Sequence, residues 1–341
     1  MSEEAFLPLV PYGWSDRVLA LWRDIEAPGL RPARIARVDR GSCVVVTDEG
    51  RETRMGIAEP VAVGDWVATR GSVICAIVPR WSAIERQDPS ETGTQVLAAN
   101  VDVVLVATPA DRANAARVER ELVLAWDGGG QPVVVVTKVD LGAQDVADQL
   151  RGRLVGADVV ATSARDGVGI DEIRSRLLPC RTAVLLGPSG VGKSTLVNAL
   201  LGACAQDTGD VRHTDGRGRH TTTARQLLAL PGGGVVIDTP GLRSLGLAGA
   251  ANVDGAFPEI EELSLRCRFR DCAHGDEPGC AVTEAVQAGL LQPARVTSYR
   301  KLVREVEREV RRQDPVARKR ALEAWKAVER DVRRNDKRRR G

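Results

Sequence analysis

The sequence lacks any run of apolar residues approaching the ~20 that a membrane-spanning helix needs. Its first ten residues, MSEEAFLPLV, are acidic and carry no basic segment before a long apolar core, so we do not expect them to be a secretory signal. Its 43% hydrophobic and 28% charged residues are ordinary for a water-soluble chain. We therefore expect a cytoplasmic protein without membrane contact and, at 341 residues, with two or three domains.

Cysteine is also scarce, since seven unevenly spaced residues are too few for a disulfide scaffold. Three of the seven fall between residues 267 and 280. The other four lie in or beside apolar segments, which predicts that they are small core residues: Cys43, Cys75, Cys180 and Cys204.

The net charge of the whole chain is only +2, but the charged residues are unevenly distributed along it. Residues 295–341 hold 18 Lys and Arg against 8 Asp and Glu, so the rest of the chain is net acidic. A basic block beside an acidic body favours a polyanionic partner. A helix with a solvated charged face is the alternative.

After an N-terminal extension, residues 1–32, the chain is rich in short β-forming runs. ARIARV, SCVVVT, TRMGIA, DWVATR and VICAIV are separated by turns that contain Gly or Asp. Five short strands over residues 33–87 predict a small all-β barrel of the OB type. The open face of such barrels commonly binds nucleic acid, and a plain protein-interaction role is the alternative.

Residues 88–247 have an α/β pattern. The near-continuous apolar runs VDVVLVAT, PVVVVTKVD, DVVATSA, TAVLLG and GVVIDTPG are separated by segments long enough for helices. This pattern predicts a parallel sheet covered on both faces, with ligands at the carboxyl ends of its strands.

The stretch GPSGVGKST follows one of these strands and has the form of a phosphate-binding loop. Gly187 and Gly192 allow backbone N–H groups to surround a phosphate, Lys193 neutralises the outer phosphates, and Ser194 would hold Mg²⁺. The helix that begins here directs its positive end at the same anion. The predicted phosphate-binding residues are Gly187, Pro188, Ser189, Gly190, Val191, Gly192, Lys193, Ser194 and Thr195.

Two other strand ends carry groups suited to guanine. Asp140 of TKVD can accept both donors of the guanine N1–H and N2–H₂ edge, and Lys138 can lie across the base. A backbone N–H of SAR, residues 163–165, can donate to guanine O6. The predicted base-site residues are Thr137, Lys138, Val139, Asp140, Ser163 and Ala164.

The strand end at DTPG predicts the γ-phosphate side of the site. Asp238 is expected to support Mg²⁺, and Gly241 to offer a backbone N–H to the γ-phosphate. The polar segment GRGRHTTT, residues 216–223, predicts a mobile switch loop in which Thr222 coordinates Mg²⁺. The predicted magnesium set is thus Ser194, Thr222 and Asp238.

A glutamine that orients the attacking water is absent after DTPG, because position 242 is leucine. His220 of the switch segment is the nearest candidate for that function, so the predicted catalytic residues are His220, Lys193 and Thr222. A His220 that only caps or solvates the loop is the alternative.

The order of these motifs is unusual. The base-binding pair precedes the phosphate loop, whereas an ordinary GTPase has the phosphate loop first. A circular permutation explains this order, because it joins the old chain ends and opens new ones while each motif keeps its place in space.

A metal-binding pattern follows the sheet, within residues 248–295. Cys267, Cys272, His274 and Cys280 have the spacing C-x₄-C-x-H-x₅-C. Three thiolates and an imidazole form a closed tetrahedral set, which predicts one structural Zn²⁺ per chain.

Residues 296–341 are predicted to be basic helices. Each of two segments has a single apolar stripe expected to pack on the protein while Lys and Arg face outward, toward a possible RNA backbone. The stripes are Leu302, Val303, Val306 and Val310 in one segment and Leu322, Trp325, Val328 and Val332 in the other.

Together the barrel, the permuted motifs, GRGRHTTT, AFPEIEEL before the cysteine cluster and the basic tail resemble the ribosome small-subunit-dependent GTPase A family, RsgA, from about residue 32 to 311. The resemblance implies a monomeric late assembly factor that binds the maturing small ribosomal subunit and its rRNA, hydrolyses GTP and then leaves. It also supports the choice of His220. One departure is Thr137, where the family's base motif usually has Asn, and this puts the affinity for guanine in question.

Two other functions agree with parts of the pattern. A P-loop ATPase or small-molecule kinase would share the phosphate loop, but TKVD argues against it. A nucleotide-gated RNA-binding scaffold with little turnover would share every motif, and only phosphate release with and without small subunits separates it from an enzyme.

Overall fold

The computed structural model describes residues 3–57, 59–87, 94–142, 145–202, 225–238, 253–275 and 277–313. The chain begins with a 3₁₀ segment, Glu3–Tyr12, and helix α1, Asp16–Arg23. Trp14, between them, packs edge-on against Trp66 of the following β region, with ring centroids 5.2 Å apart. Within these residues no helix has both the length and the apolar character to cross a bilayer.

Five strands occupy the five β-forming runs of residues 33–87. They are β1 (Arg31–Asp39), β2 (Ser42–Thr47), β3 (Glu52–Gly56), β4 (Trp66–Arg70) and β5 (Val73–Ile77). All pairings are antiparallel, with β1 between β2 and β4, β3 outside β2 and β5 outside β4. The edge strands β3 and β5 contact each other, so the sheet curls around a small apolar interior. This arrangement is consistent with the predicted OB-type barrel.

The segment after the barrel forms a hairpin of its own. β6 (Ala83–Gln87) pairs with β7 (Thr94–Ala99) in a separate two-stranded sheet. β6 falls before the domain boundary predicted at residue 88, and its only described ladder partner lies after that boundary.

An α/β region follows. Its elements are β8 (Val103–Pro109), α2 (Ala115–Asp127), β9 (Gln131–Thr137), α3 (Asp145–Arg153), β10 (Asp158–Ala161), α4 (Ile170–Leu177), β11 (Thr182–Leu186), α5 (Lys193–Leu201), β12 (Gln226–Ala229) and β13 (Val235–Asp238). The strands β10, β9, β8, β11 and β13 are parallel and adjacent in that order, and β12 is antiparallel at the end. The five predicted strands are therefore all present, whereas β12 was not predicted.

Both faces of this sheet are covered, as its apolar strands require. On β8, Val104 and Val106 belong to the core that includes α2, whereas Val103 and Leu105 belong to the core that includes α4 and α5. Successive residues of a strand point to opposite faces, so an uninterrupted apolar run can fill two cores at once.

The barrel and the α/β sheet are joined through β1, which pairs with β12 at Arg37 and Gln226. Arg34 of β1 is fully buried at this junction. Its guanidinium donates to the Thr182 hydroxyl at 2.8 Å and to the backbone carbonyl of Tyr12, and it lies 4.8 Å from the centre of the Trp66 ring. Burial lowers the pKa of Arg34 to about 10, so the side chain stays cationic at neutral pH.

The C-terminal part is helical: a 3₁₀ turn (Asp254–Ala256), α6 (Pro258–Ser264), α7 (Ala281–Gln287) and α8 (Pro293–Gln313). On α8, Leu302 is buried and Val303 and Val306 are half-buried, but Val310 is 48% exposed. The predicted apolar stripe therefore packs on the protein as far as Val306 but not at Val310. The second predicted helix, residues 321–334, lies outside the described residues.

The cysteine prediction is only partly right. Cys43 is buried in the barrel interior and Cys180 is half-buried, but Cys75 is exposed on β5. Side chains of a strand alternate between its two faces, so Ile74 packs against the barrel interior whereas Cys75, the next residue, faces outward. Cys204 lies outside the described residues.

Candidate functional site

The predicted motifs meet where the strand order of the sheet reverses. From β8 the chain proceeds outward through β9 and β10, whereas β11 lies on the other side of β8 and is followed outward by β13. Ligands of open α/β folds bind at the carboxyl ends of strands at such a point. The phosphate loop follows β11 directly at this position.

The phosphate loop depends on glycine conformations. Gly187, Gly190 and Gly192 have φ of 139°, 76° and 104°, in the region that other residues rarely adopt. At Gly187 a Cβ atom would lie 2.7 Å from the Ala107 carbonyl oxygen at the end of β8. Gly192 is the N-cap of α5. A side chain at Gly187 would thus lift the loop off the sheet.

Lys193 reaches back into this loop. Its ammonium group donates to the carbonyls of Gly187 at 2.8 Å and Pro188 at 2.9 Å. Burial lowers the pKa of Lys193, while Asp238 and Glu121 act in the opposite direction. The loop therefore surrounds a partly desolvated cation, which suits a polyanionic ligand.

Thr137 and Lys138 of the base motif contact the phosphate loop across more than fifty residues of sequence. The Thr137 hydroxyl is buried and donates to the Val191 carbonyl at 2.6 Å. Lys138, at φ 61°, donates from its ammonium to the Gly190 carbonyl at 2.7 Å. The departure at Thr137 thus has a structural use, because its hydroxyl connects β9 to the loop.

Asp140 and the SAR segment lie beside this connection. Asp140 is exposed in the 3₁₀ turn Val139–Leu141, which is tied to the next strand's end by a hydrogen bond from the Val139 N–H to Thr162. The Ser163 N–H donates to Val168 at 3.1 Å, so the half-buried Ala164 is the better candidate for a donor to guanine O6.

The predicted magnesium residues are only partly described. Ser194 is exposed in the first turn of α5, and Asp238 ends β13 close enough to affect the ionisation of Lys193. A hydroxyl and a carboxylate beside a phosphate site are ligands that Mg²⁺ uses. His220, Thr222 and Gly241 lie outside the described residues.

The remaining residues of the predicted phosphate loop differ in solvent exposure. Val191 is buried, Pro188 is half-buried, and Ser189 and Thr195 are exposed. The nucleotide side of the loop is thus open to solvent, while its inner side packs on the sheet.

The cysteine and histidine cluster is assembled as its spacing predicts. The His274 Nδ1 atom lies 3.7 Å from the Sγ atoms of Cys267 and of Cys280, and with Cys272 all four ligand atoms lie within 4.8 Å of one another. Zinc bonds of about 2.3 Å to sulfur and about 2.0 Å to nitrogen separate tetrahedral ligands by about 3.5–3.8 Å. The donor set therefore fits a closed structural metal site.

Hydrogen bonds hold the loop that carries these ligands. Glu277 accepts from the N–H groups of Ala273 and Gly275, and the Thr283 N–H donates to the Cys280 sulfur at 3.4 Å. Although burial opposes it, hydrogen bonds from Thr283 lower the pKa of Cys280. A thiolate at neutral pH is the form that a metal needs.

The sequence did not predict a charged network that attaches the C-terminal helices to α2. Glu119, with a fully buried side chain, accepts from Arg153 of α3 at 2.9 Å and from Arg295 of α8 at 3.2 Å. Arg295 also binds Glu259 of α6, and Arg120 binds Glu305 of α8. These partners are far apart in sequence, and no local pattern distinguishes them from surface charges.

Arg117 and Glu121 of α2 were also missed, although they lie near the phosphate loop. Arg117 donates to the Ala107 carbonyl at 3.3 Å and lies 3.4 Å from Glu121. The sequence feature that could have identified them is an Arg and a Glu four residues apart on α2, the helix that follows β8.

Comparison with known proteins agrees with this geometry. A model of the family described as RsgA GTPase matches residues 77–248. A protein of Streptomyces coelicolor named small ribosomal subunit biogenesis GTPase RsgA is 47% identical, over 91% of this chain and 90% of its own length. A protein of the same name from Opitutus terrae is 41% identical, over 94% and 96%.

Two solved structures share the fold. YjeQ from Thermotoga maritima has a TM-score of 0.62 at 27% identity, covering 81% of this chain and 98% of its own. YloQ, described as a circularly permuted GTPase, has a TM-score of 0.58 at 26% identity, covering 84% and 96%. The permuted motif order is thus found in a protein of the same fold.

Proposed function

The chain belongs to the RsgA GTPase family, and from this we propose that it hydrolyses GTP as a cytoplasmic maturation factor of the small ribosomal subunit. The observation that carries the proposal is the contact of the base motif with the phosphate loop, through Thr137 to Val191 and Lys138 to Gly190. These contacts support a single nucleotide site in which Asp140 selects guanine.

Each residue of the site has a separate proposed role. Lys193 and the loop amides bind the β- and γ-phosphates, and Asp140 accepts from the guanine edge. Ser194, Asp238 and Thr222 would hold Mg²⁺, which neutralises phosphate charge when bound. His220 positions the attacking water. Zn²⁺ on the cysteine and histidine cluster holds the C-terminal module together.

Contact with rRNA is supported by two basic surfaces of the C-terminal part. Lys301, Arg304, Arg308 and Arg311 are exposed along one side of α8. Arg266, Arg268 and Arg270 are exposed around Cys267, and Phe269 among them is 43% exposed. Arginines bind phosphates and an exposed aromatic ring can stack on an unpaired base, so both surfaces suit RNA.

Steady-state phosphate release tests the proposal. We expect release from GTP but not from ATP, and a higher rate when purified small ribosomal subunits are added. Phe269→Ala should weaken subunit binding while leaving unstimulated GTP hydrolysis unchanged, with Leu265→Ala, an exposed apolar neighbour without a ring, as the matched control.

Three results would contradict parts of this proposal. Turnover of ATP at the rate of GTP would indicate a P-loop ATPase. GTP binding without phosphate release, even with saturating subunits, would indicate a nucleotide-gated scaffold. Equal subunit affinity of Phe269→Ala and the parent would exclude this face from the RNA contact.

A further inference from the structure

Glu121 of α2 is a half-buried acid on the helix that contacts the strand beneath the phosphate loop. Its side chain is 14% exposed, and one carboxyl oxygen lies 3.4 Å from Arg117. The other oxygen, Oε2, is buried and has no hydrogen-bond partner within the part of the chain that the structure describes. Removing a carboxylate oxygen from water without giving it a hydrogen-bond partner costs free energy, so Oε2 of Glu121 destabilises the free protein when the carboxylate is ionised.

The surroundings of Glu121 lead to the nucleotide site. Arg117 connects it to the Ala107 carbonyl, and that carbonyl lies directly beneath Gly187, the first glycine of the loop. Lys193, whose ammonium binds the Gly187 carbonyl, and Glu121 each affect the ionisation of the other. The carboxyl group is therefore within electrostatic reach of the cation that receives the phosphates.

The charged groups that act on Glu121 come from two elements. Arg117 and Arg120 lie on α2, and Lys193 lies at the start of α5. Asp238 of β13 acts on Lys193 as well. Asp238 would be balanced by Mg²⁺ in the loaded site, whereas the ion pair of Glu121 with Arg117 leaves Oε2 of Glu121 without a hydrogen-bond partner among the described residues. Its negative charge thus opposes that of a bound nucleotide.

We propose that Glu121 is a positioning residue of the phosphate site: ionised, it offsets part of the charge of Lys193, and protonated, it leaves that charge to the phosphates of the nucleotide. Nucleotide binding is then accompanied by proton uptake at the Glu121 carboxyl group. The inference rests on the proposed GTPase function and adds a regulation of the same site.

The expected pH dependence follows from this linkage. Burial raises the pKa of Glu121 to about 7, against the effect of Arg117, Lys193 and Arg120, so the free site titrates near neutral pH. Bound phosphates disfavour the carboxylate further and raise the pKa again. Affinity for GDP therefore falls as pH increases through neutrality, because the free protein has then lost the proton that the complex holds.

Binding of fluorescent GDP in excess Mg²⁺ tests the proposal in the full-length protein. Between about pH 6 and about pH 8 we expect parent affinity to fall roughly five- to tenfold, within the limit of tenfold per pH unit for one linked proton. Glu121→Gln should lose this dependence and bind more tightly than the parent at the higher pH. Glu262→Gln, an exposed carboxylate on α6, is the matched control and should behave like the parent.

Calorimetry of the parent protein gives a second measurement that needs no variant. GDP binding in two buffers of different ionisation enthalpy should show net proton uptake, whereas ionisation of the nucleotide's own phosphates would release protons. Absence of uptake, or an unchanged pH dependence in Glu121→Gln, would overturn the role of Glu121. A parent protein that binds no GDP at any pH would instead contradict the proposed function.

Discussion

The hydroxyl of Thr137 donates a hydrogen bond to the backbone carbonyl of Val191 at 2.6 Å, and this bond joins the base motif to the phosphate loop. Both groups are buried, so neither has water as an alternative partner. A threonine at this position therefore connects β9 to the phosphate loop. Its side chain should influence how tightly a nucleotide is held without choosing which one.

Thr137→Val should weaken GDP binding by about tenfold, because loss of a buried hydrogen bond that strands its acceptor costs about 1–2 kcal/mol. Thr137→Ser keeps the hydroxyl and should bind GDP with nearly the affinity of the parent protein. Competition of GDP with xanthosine diphosphate should show an unchanged base preference. Parent-like affinity of Thr137→Val would mean that the bond does not support the loop.

Asp140→Asn should shift preference from GTP toward XTP by about tenfold or more, because xanthine offers an acceptor where guanine has its N2 donors, and tenfold corresponds to about 1.4 kcal/mol. Asp166→Asn is the matched control, since Asp166 lies in the neighbouring loop and binds the Ser163 hydroxyl at 3.1 Å. Equilibrium competition between the two nucleotides measures the shift. A variant that prefers GTP as strongly as the parent would refute the base-site assignment.

Cys272→Ser should lose bound zinc and loosen the C-terminal module, because the four ligand atoms form one closed set. GDP affinity should be retained, since no described motif of the nucleotide site lies in this module. The control variant Cys75→Ser removes an exposed thiol on β5, and this protein should retain its bound zinc. Metal analysis and GDP titration decide between the outcomes: full zinc content would exclude Cys272 as a ligand, and lost GDP binding would contradict the independence of the two sites.

Arg295→Met should destabilise the protein by about 3–5 kcal/mol, because it removes one partner of the buried Glu119 carboxylate. Glu119 keeps Arg153, and the double variant Arg295→Met/Glu119→Leu should recover part of the loss. Arg311→Met breaks an exposed pair with Glu307 and should cost less than about 1 kcal/mol. Urea unfolding measures all three, and equal losses for Arg295→Met and Arg311→Met would show that the buried network adds nothing.

His220→Ala should retain binding of GTP and of small subunits but lose most of the subunit-stimulated turnover, because leucine at position 242 cannot orient water. His220 lies outside the described residues, so this role remains a prediction from the sequence. Subunit binding would act by populating the conformation in which His220 meets the water. His213→Ala, which lies shortly before residues 216–223, is the control. Undiminished stimulation of His220→Ala in steady-state phosphate release would assign the water to another group.

Much of the fold could be predicted because it is encoded by local patterns. Apolar runs bounded by turns gave the five parallel strands and the five barrel strands, and glycine positions gave the phosphate loop. β12 was missed because its four residues, Gln226–Ala229, form a strand only by pairing with β13 and β1. The exposure of Cys75 was missed because an unbroken apolar run does not show which of its alternating side chains face outward.

The sequence by itself determined which chemical groups the sites contain: a phosphate loop, a carboxylate at the position proposed to select guanine, and a Cys₃His cluster, in an order that indicates permutation. These depend on residue type and short spacing, which the sequence states directly. Only the tertiary structure decided that the Thr137 hydroxyl donates to Val191, that Glu119 pairs with both Arg153 and Arg295, and that Glu121 is half-buried against Arg117. The cost and the use of a charge depend on which distant segments exclude water from it, and folding alone brings those segments together.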